Sequence, residues 1–245
     1  MKKLIEKLEA FLELGGIKKD VTLLALSGAA VALQGTLSGV NAAAWGKVWW
    51  GLLLSVLLGL VLGGGLCVLM RLFLGRGCLD RAAQRFRRWQ VAGAAAMAFC
   101  HGAQDGQKFL GVLLLAEALR AGRPPQLESA PLWEALLCAL VMGAGTAVGG
   151  RRIIRAVGQD MTPLMPYQGF AADTAAVACL LLATAGGLPV STTHTKTCAV
   201  MGAGAAGGGK VDRRIAGRMV LAWLLTFPAC ALLGYVLSKW MFHLA

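Results

Sequence analysis

KVWWGLLLSVLLGLVLGGGLCVLMRLFL, residues 47–74, holds no charged residue between Lys47 and Arg71. A helix needs roughly 20 apolar residues to cross about 30 Å of hydrocarbon, so this run is long enough to span a bilayer. Trp49 and Trp50 stand at one end, where aromatic rings favour the lipid–water interface. Comparable runs recur at 131–149, 169–187 and 215–243. Of the 245 residues, 57% are hydrophobic and 15% charged, and mean hydropathy is +0.66, more apolar surface than one water-soluble core would use. The period-two alternation of a transmembrane β-barrel is absent. The chain reads as all-α, a polytopic transmembrane helical bundle.

The formal charge of +12 is carried mainly by short connections between the apolar runs. RLFLGRGCLDRAAQRFRRWQ, residues 71–90, sets Arg71, Arg76, Arg81, Arg85, Arg87 and Arg88 against Asp80, and GGRRIIRAVGQDMTPLMP, residues 149–166, adds Arg151, Arg152 and Arg155. Two crossings separate these segments, so both fall on one side of the membrane. The positive-inside rule makes that side cytoplasmic and explains the charge without a nucleic-acid partner. The cysteines at 67, 78, 100, 138, 179, 198 and 230 are scattered singly, as small core residues rather than disulfide or metal-ligand sets. Residues 1–20 form an amphipathic segment suited to the membrane surface, and the apolar stretch 21–34 is short enough to be a half-helix.

MAFCHGAQDGQKFLGVLLLA, residues 97–116, breaks the apolar pattern. An ionisable side chain at mid-membrane depth costs about 2.5–3.5 kcal/mol or more and normally faces a partner or a watered path. Two readings of Asp105 and Lys108 stand side by side: an ion pair at i and i+3, or a discontinuous helix whose glycines 102, 106 and 111 let the backbone unwind. In the second, free N–H groups attract an anion while carbonyls and Asp105 attract a cation.

A second polar stretch, GLPVSTTHTKTCAVMGAGAAGGG, residues 187–209, is too short for a loop plus a full span, and a re-entrant hairpin of two half-helices fits it. Pro189 followed by Ser191, Thr192, Thr193 and His194 is an N-cap cluster, whose hydroxyls and unpaired N–H groups suit a tetrahedral oxyanion. On the preceding span, Asp173 has three open roles: completing a cation site, taking up a proton, or pairing with an arginine. Residues 26–69 also echo 200–237, with small residues, a basic residue and a Trp-containing span in the same order, as the internal repeats of transporters do.

HGAQDGQK and GLPVSTTH, separated by GGRRII and followed by a Trp-containing span, resemble the C-terminal half of the PiT family of low-affinity inorganic phosphate transporters over roughly residues 90–245. The resemblance implies a bundle of inverted repeats, here about one and a half, carrying phosphate across the bacterial inner membrane with Na⁺ or H⁺, in some members as a neutral metal–phosphate complex. On that basis phosphate is expected on Gln107, Lys108, Ser191, Thr192 and Thr193, and the cation on Gln104, Asp105 and His194; Asp173, outside both signatures, is a further expected cation ligand by its position on the preceding span. No cofactor is implied beyond the coupling ion. Many members have Asn where this chain has Gln104.

The family carries each signature twice, once per half, and this chain carries each once. Aligning the echo on Gly28 and Gly202 sets Asp20 opposite His194, with IKKD in place of the hydroxyl run. The expected organisation is therefore an amphipathic segment (1–20), the remnant end of a first repeat (21–74), a basic cytoplasmic connection (75–90) and a C-terminal transport repeat (91–245). Three functions follow: a half-transporter completed by a complementary chain or a second copy of itself, a truncated remnant that does not transport, or an intramembrane serine hydrolase. The last would use Ser191 as nucleophile, His194 as base and Asp105 or Asp173 as its partner, but no GxSxG elbow surrounds the serine.

Overall fold

A computed structural model describes residues 27–33, 35–36, 42–122, 131–186, 188 and 190–244. The amphipathic segment 1–20, Pro189 and the side chain of Gln107 lie outside the described residues. Residues 27–33 are helical (α1). There follow α2 (Ala42–Leu74), the short α3 (Arg76–Arg81), α4 (Ala83–Ala121) and α5 (Leu132–Arg155), which runs into a turn of π-helix (Ala156–Asp160). The chain continues through α6 (Pro166–Ala185), α7 (Thr192–Ala206) and α8 (Arg213–Leu244). No strand occurs among the described residues.

Among the described residues, four helical segments are long and apolar enough to cross a membrane: Trp45–Leu74, Leu132–Gly150, Pro166–Ala185 and Arg213–Trp240. These are the four runs that stand out in the sequence. Gly75 ends α2 in the left-handed region at φ 66, where its N–H still reaches the Arg71 carbonyl at 3.1 Å, a closure that a residue with a Cβ would strain. Asp212 starts α8 by accepting from the N–H groups of Arg214 at 2.7 Å and Ile215 at 3.2 Å. The basic connection is itself helical, made of α3 and the first turns of α4, with Arg81, Arg85, Arg87 and Arg88 exposed.

The described residues fall into two compact units. One comprises parts of Trp49–Gln104 and Leu140–Gly217. Its core is made of small side chains: Ala171, Ala172, Ala175, Ala176 and Cys179 of α6 and Ala199 and Ala203 of α7 have no exposed surface. Lipid offers no hydrophobic drive for one helix to join another, so close backbone approach must supply the attraction. Gly59 of α2 faces α7 so closely that an added Cβ would lie 2.6 Å from the Thr195 carbonyl oxygen. A Cβ on Gly63 would strike the Ala199 carbonyl, and one on Gly202 would strike the Leu60 carbonyl.

The other unit draws on Met1–Val48, Asp105–Ala139 and Arg218–Ala245. Within it Gly28 of α1 abuts the Ala231 backbone of α8, leaving no room for a Cβ. Leu60 and Ala231 lie equally far in sequence from the starts of α2 and α8. Each unit thus contains the same event, a glycine of a short helix seated on the matching point of a long one. In each, the short helix and the long one come from opposite copies of the sequence echo.

Two expectations about local structure are corrected. The helix through 97–116 is not discontinuous: α4 runs unbroken for 39 residues. Its glycines permit unwinding without requiring it, alanines around them favour helix, and the polar side chains find partners that leave the backbone ladder intact. Residues 187–209 also do not make two half-helices. They make one, the 15-residue α7, and the other arm of the hairpin is the full-length α6 against which it packs.

Candidate functional site

The N-terminus of α7 is built by capping. Leu188 donates its N–H to the Ala183 carbonyl at 2.9 Å, Val190 is buried, and Ser191 takes an extended backbone at φ −89, ψ 120. The Ser191 N–H reaches the hydroxyl oxygen of Ser55 at 3.1 Å, and the Ser55 O–H donates to the Gly51 carbonyl at 2.6 Å. Ser191 Oγ accepts from the His194 N–H at 3.5 Å and lies 2.6 Å from His194 Nδ1. Thr192 is buried, Ser191 and His194 are half-buried and Thr193 is exposed. Hydroxyls thus surround a helix start, where the first N–H groups lack intrahelical acceptors and carry partial positive charge.

Gln104 is 4% exposed and joins α4 to α6. Its Nε2 donates to the Leu180 carbonyl at 3.3 Å and to Thr184 Oγ1 at 3.1 Å, while the Thr184 hydroxyl donates to the same Leu180 carbonyl at 2.7 Å. A carbonyl can only accept, which fixes the amide's orientation. Oε1 is left buried with no hydrogen-bond donor. A buried oxygen in that state is costly unless something positive meets it.

Asp105 and Asp173 each meet a lysine. Lys108 Nζ lies 2.8 Å from Asp105 Oδ1 within one turn of α4. Asp173 on α6, 5% exposed, meets the ammonium of Lys196 on α7 rather than an arginine. Arg71 at the end of α2 donates to the Ala206 carbonyl at 2.7 Å, closing the C-terminus of α7. Gln104 and the Ser191–His194 cluster lie in one unit, Asp105 and Lys108 in the other. Sequence reasoning missed Ser55, Thr184 and Lys196. Lys196 carried a signal, because it is a charge two residues after His194 within a half-helix, where an ionisable group calls for a partner.

The sequence profile described as "Phosphate transporter family" matches residues 77–234, which include α4, α6 and α7 with both polar clusters. The chain belongs to this family. Among curated members of the phosphate transporter family, a Bacillus subtilis protein named "Probable low-affinity inorganic phosphate transporter" is 34% identical over 213 residues, 86% of this chain and 63% of that protein. A Mycobacterium leprae protein of the same name is 40% identical over 161 residues, 65% of this chain and 39% of that protein. The chain therefore spans between about two fifths and two thirds of the length of these relatives. A solved structure titled "The sodium-dependent phosphate transporter" superposes with a TM-score of 0.75 at 21% identity, covering 89% of this chain and 71% of that one, and shows that the two share a fold.

Membership of a transporter family leaves the hydrolase reading without support. Ser191 is the N-cap of α7, accepting from the His194 backbone N–H, and sits on unstrained backbone rather than on a nucleophile elbow.

Proposed function

We propose that this chain takes part in ion-coupled transport of inorganic phosphate; its curated relatives are named for inorganic phosphate transport. The reading is carried by the α7 N-terminus, where the hydroxyl residues Ser191, Thr192 and Thr193 stand at the positive end of a helix and the Ser191 backbone is tied down by Ser55. A preset ring of donors favours a tetrahedral anion because little must be ordered when it arrives. Gln104 Oε1, a buried acceptor without a donor, is the proposed contact for the coupling cation where that cation is Na⁺. His194 supports that site, and the roles proposed for Asp105, Gln107 and Lys108 rest on the HGAQDGQK signature.

These 245 residues carry each signature once. We propose that transport requires a second copy of each, supplied by chain continuous with this one, by a complementary chain or by another copy of the same chain. The test is reconstitution in liposomes, alone and with the first-half signatures of a relative supplied in trans, following labelled phosphate under Na⁺ and proton gradients. Accumulation above empty liposomes that collapses with one gradient identifies the coupling ion. No accumulation in any combination would end the transport reading for this chain.

A further inference from the structure

The pair formed by Asp173 and Lys196 lies outside the two signatures' assigned roles and within a single compact unit. Asp173 stands on α6, enclosed on one side by α4, where a Cβ built on Gly93 would approach its own Cβ to 3.1 Å and its Oδ2 to 3.8 Å. On the other side α7 brings in Lys196, four residues after Thr192 and so on the same helical face. The carboxylate is nearly sealed, whereas the lysine side chain keeps 29% of its surface exposed. A carboxylate in such a place needs a positive charge from somewhere, because unpaired burial is strongly unfavourable. A dissolved monovalent ion is one source. A covalently attached ammonium is the other, and it is a point charge of comparable valence on a flexible stem.

We propose that Lys196 is a tethered counter-cation that fills the position an alkali-metal ion would otherwise take at Asp173, so that this hairpin holds one exchangeable cation fewer than its acidic residues suggest. Two consequences follow. Asp173 is a fixed charge during the transport cycle rather than a coupling ligand, and removing the ammonium turns the carboxylate into a new site for Na⁺. The consequence for coupling rests on the transport reading proposed above, but the appearance of a cation site does not.

The experiment uses the purified full chain in detergent and reads thermal unfolding in about 200 mM NaCl against choline chloride of equal ionic strength, which needs no transport. Lys196→Met should gain a sodium-dependent rise in Tm of about 5 °C over whatever response the wild type has, the size expected when a ligand is near a hundred times its Kd. The double variant Asp173→Asn, Lys196→Met should lose that gain, and Asp173→Asn alone should leave the wild-type sodium response unchanged. Equal responses in Lys196→Met and the double variant would overturn the proposal, as would loss of a wild-type sodium response in Asp173→Asn. If Lys196→Met does not fold in choline, recovery of folded protein in sodium is read instead. Recovery that depends on Asp173 supports the proposal, and failure in both salts while the double variant folds overturns it. Transport that fails in every liposome combination leaves these outcomes untouched.

Discussion

The backbone N–H of Ser191 rests 3.1 Å from the hydroxyl oxygen of Ser55, a residue with no exposed surface on a different helix. The first residue of the hydroxyl cluster is therefore held by α2 as well as by its own helix. Ser55→Ala should leave that half-buried N–H without its acceptor, costing about 1–3 kcal/mol. Amide exchange at Ser191 should quicken by roughly tenfold to a hundredfold, since each 1.4 kcal/mol is a factor of ten. Exchange at wild-type rates would remove Ser55 from this role.

Capping and anion binding at Ser191 can be separated by charge. Ser191→Ala loses the acceptor for the His194 N–H and should destabilise by about 1 kcal/mol. Ser191→Asp restores the cap, so its Tm should return close to the wild-type value, while its negative charge opposes phosphate. Uptake of labelled phosphate should then fall at least about tenfold. Wild-type uptake in Ser191→Asp would place phosphate elsewhere.

The glycines of the α2–α7 contact should divide sharply by what faces them. Gly63→Ala and Gly202→Ala each drive a methyl group into a carbonyl of the opposing helix and should cost more than about 2 kcal/mol. Gly65→Ala meets nothing within 4 Å and should fall within about 0.5 kcal/mol of the wild type. Yield and Tm in detergent provide the measurement, and equal Tm values in all three would argue against close α2–α7 packing.

Gln104 and Thr184 share the Leu180 carbonyl but differ in what else they offer. Thr184→Val removes one hydroxyl and should cost about 1 kcal/mol with uptake largely retained. Gln104→Leu also removes the buried oxygen proposed to meet the cation, and cation-driven uptake should be lost. Gln104→Leu with an unaltered cation dependence would exclude that contact.

Asp105→Asn tests the proposed cation role against mere pairing. The Asp105–Lys108 pair is about one fifth exposed, and an asparagine oxygen can still accept from the Lys108 ammonium, so the change should cost a few kcal/mol rather than unfold the protein. Coupled uptake should nevertheless be abolished while insertion, followed by membrane fractionation, continues. Normal uptake in this variant would leave Asp105 with a structural role only.

The spans were legible in the sequence because hydrocarbon sets a length and a polarity that any crossing helix must meet, and α2, α5, α6 and α8 meet them. The position of α7 was legible too, since Ser191 and the residues after it form a local cap that depends little on distant structure. The state of α4 was not. Glycines at 102 and 106 are compatible with both an unwound and a continuous helix, and the choice turns on partners such as Leu180 and Thr184, far away in sequence. Asp173 was visible as a charge needing compensation, yet sequence favoured no single source. Only the packing of α6 on α7 selected Lys196 over the arginines.

The seats of Gly28 on Ala231 and of Gly202 on Leu60 bear on how such a protein is divided. Both couple a segment before the basic connection to one after it, so the sequence repeats are interlocked like two clasped hands. A scissile point between them would leave each fragment with an unfilled glycine notch, and fragments produced in one cell should reassociate.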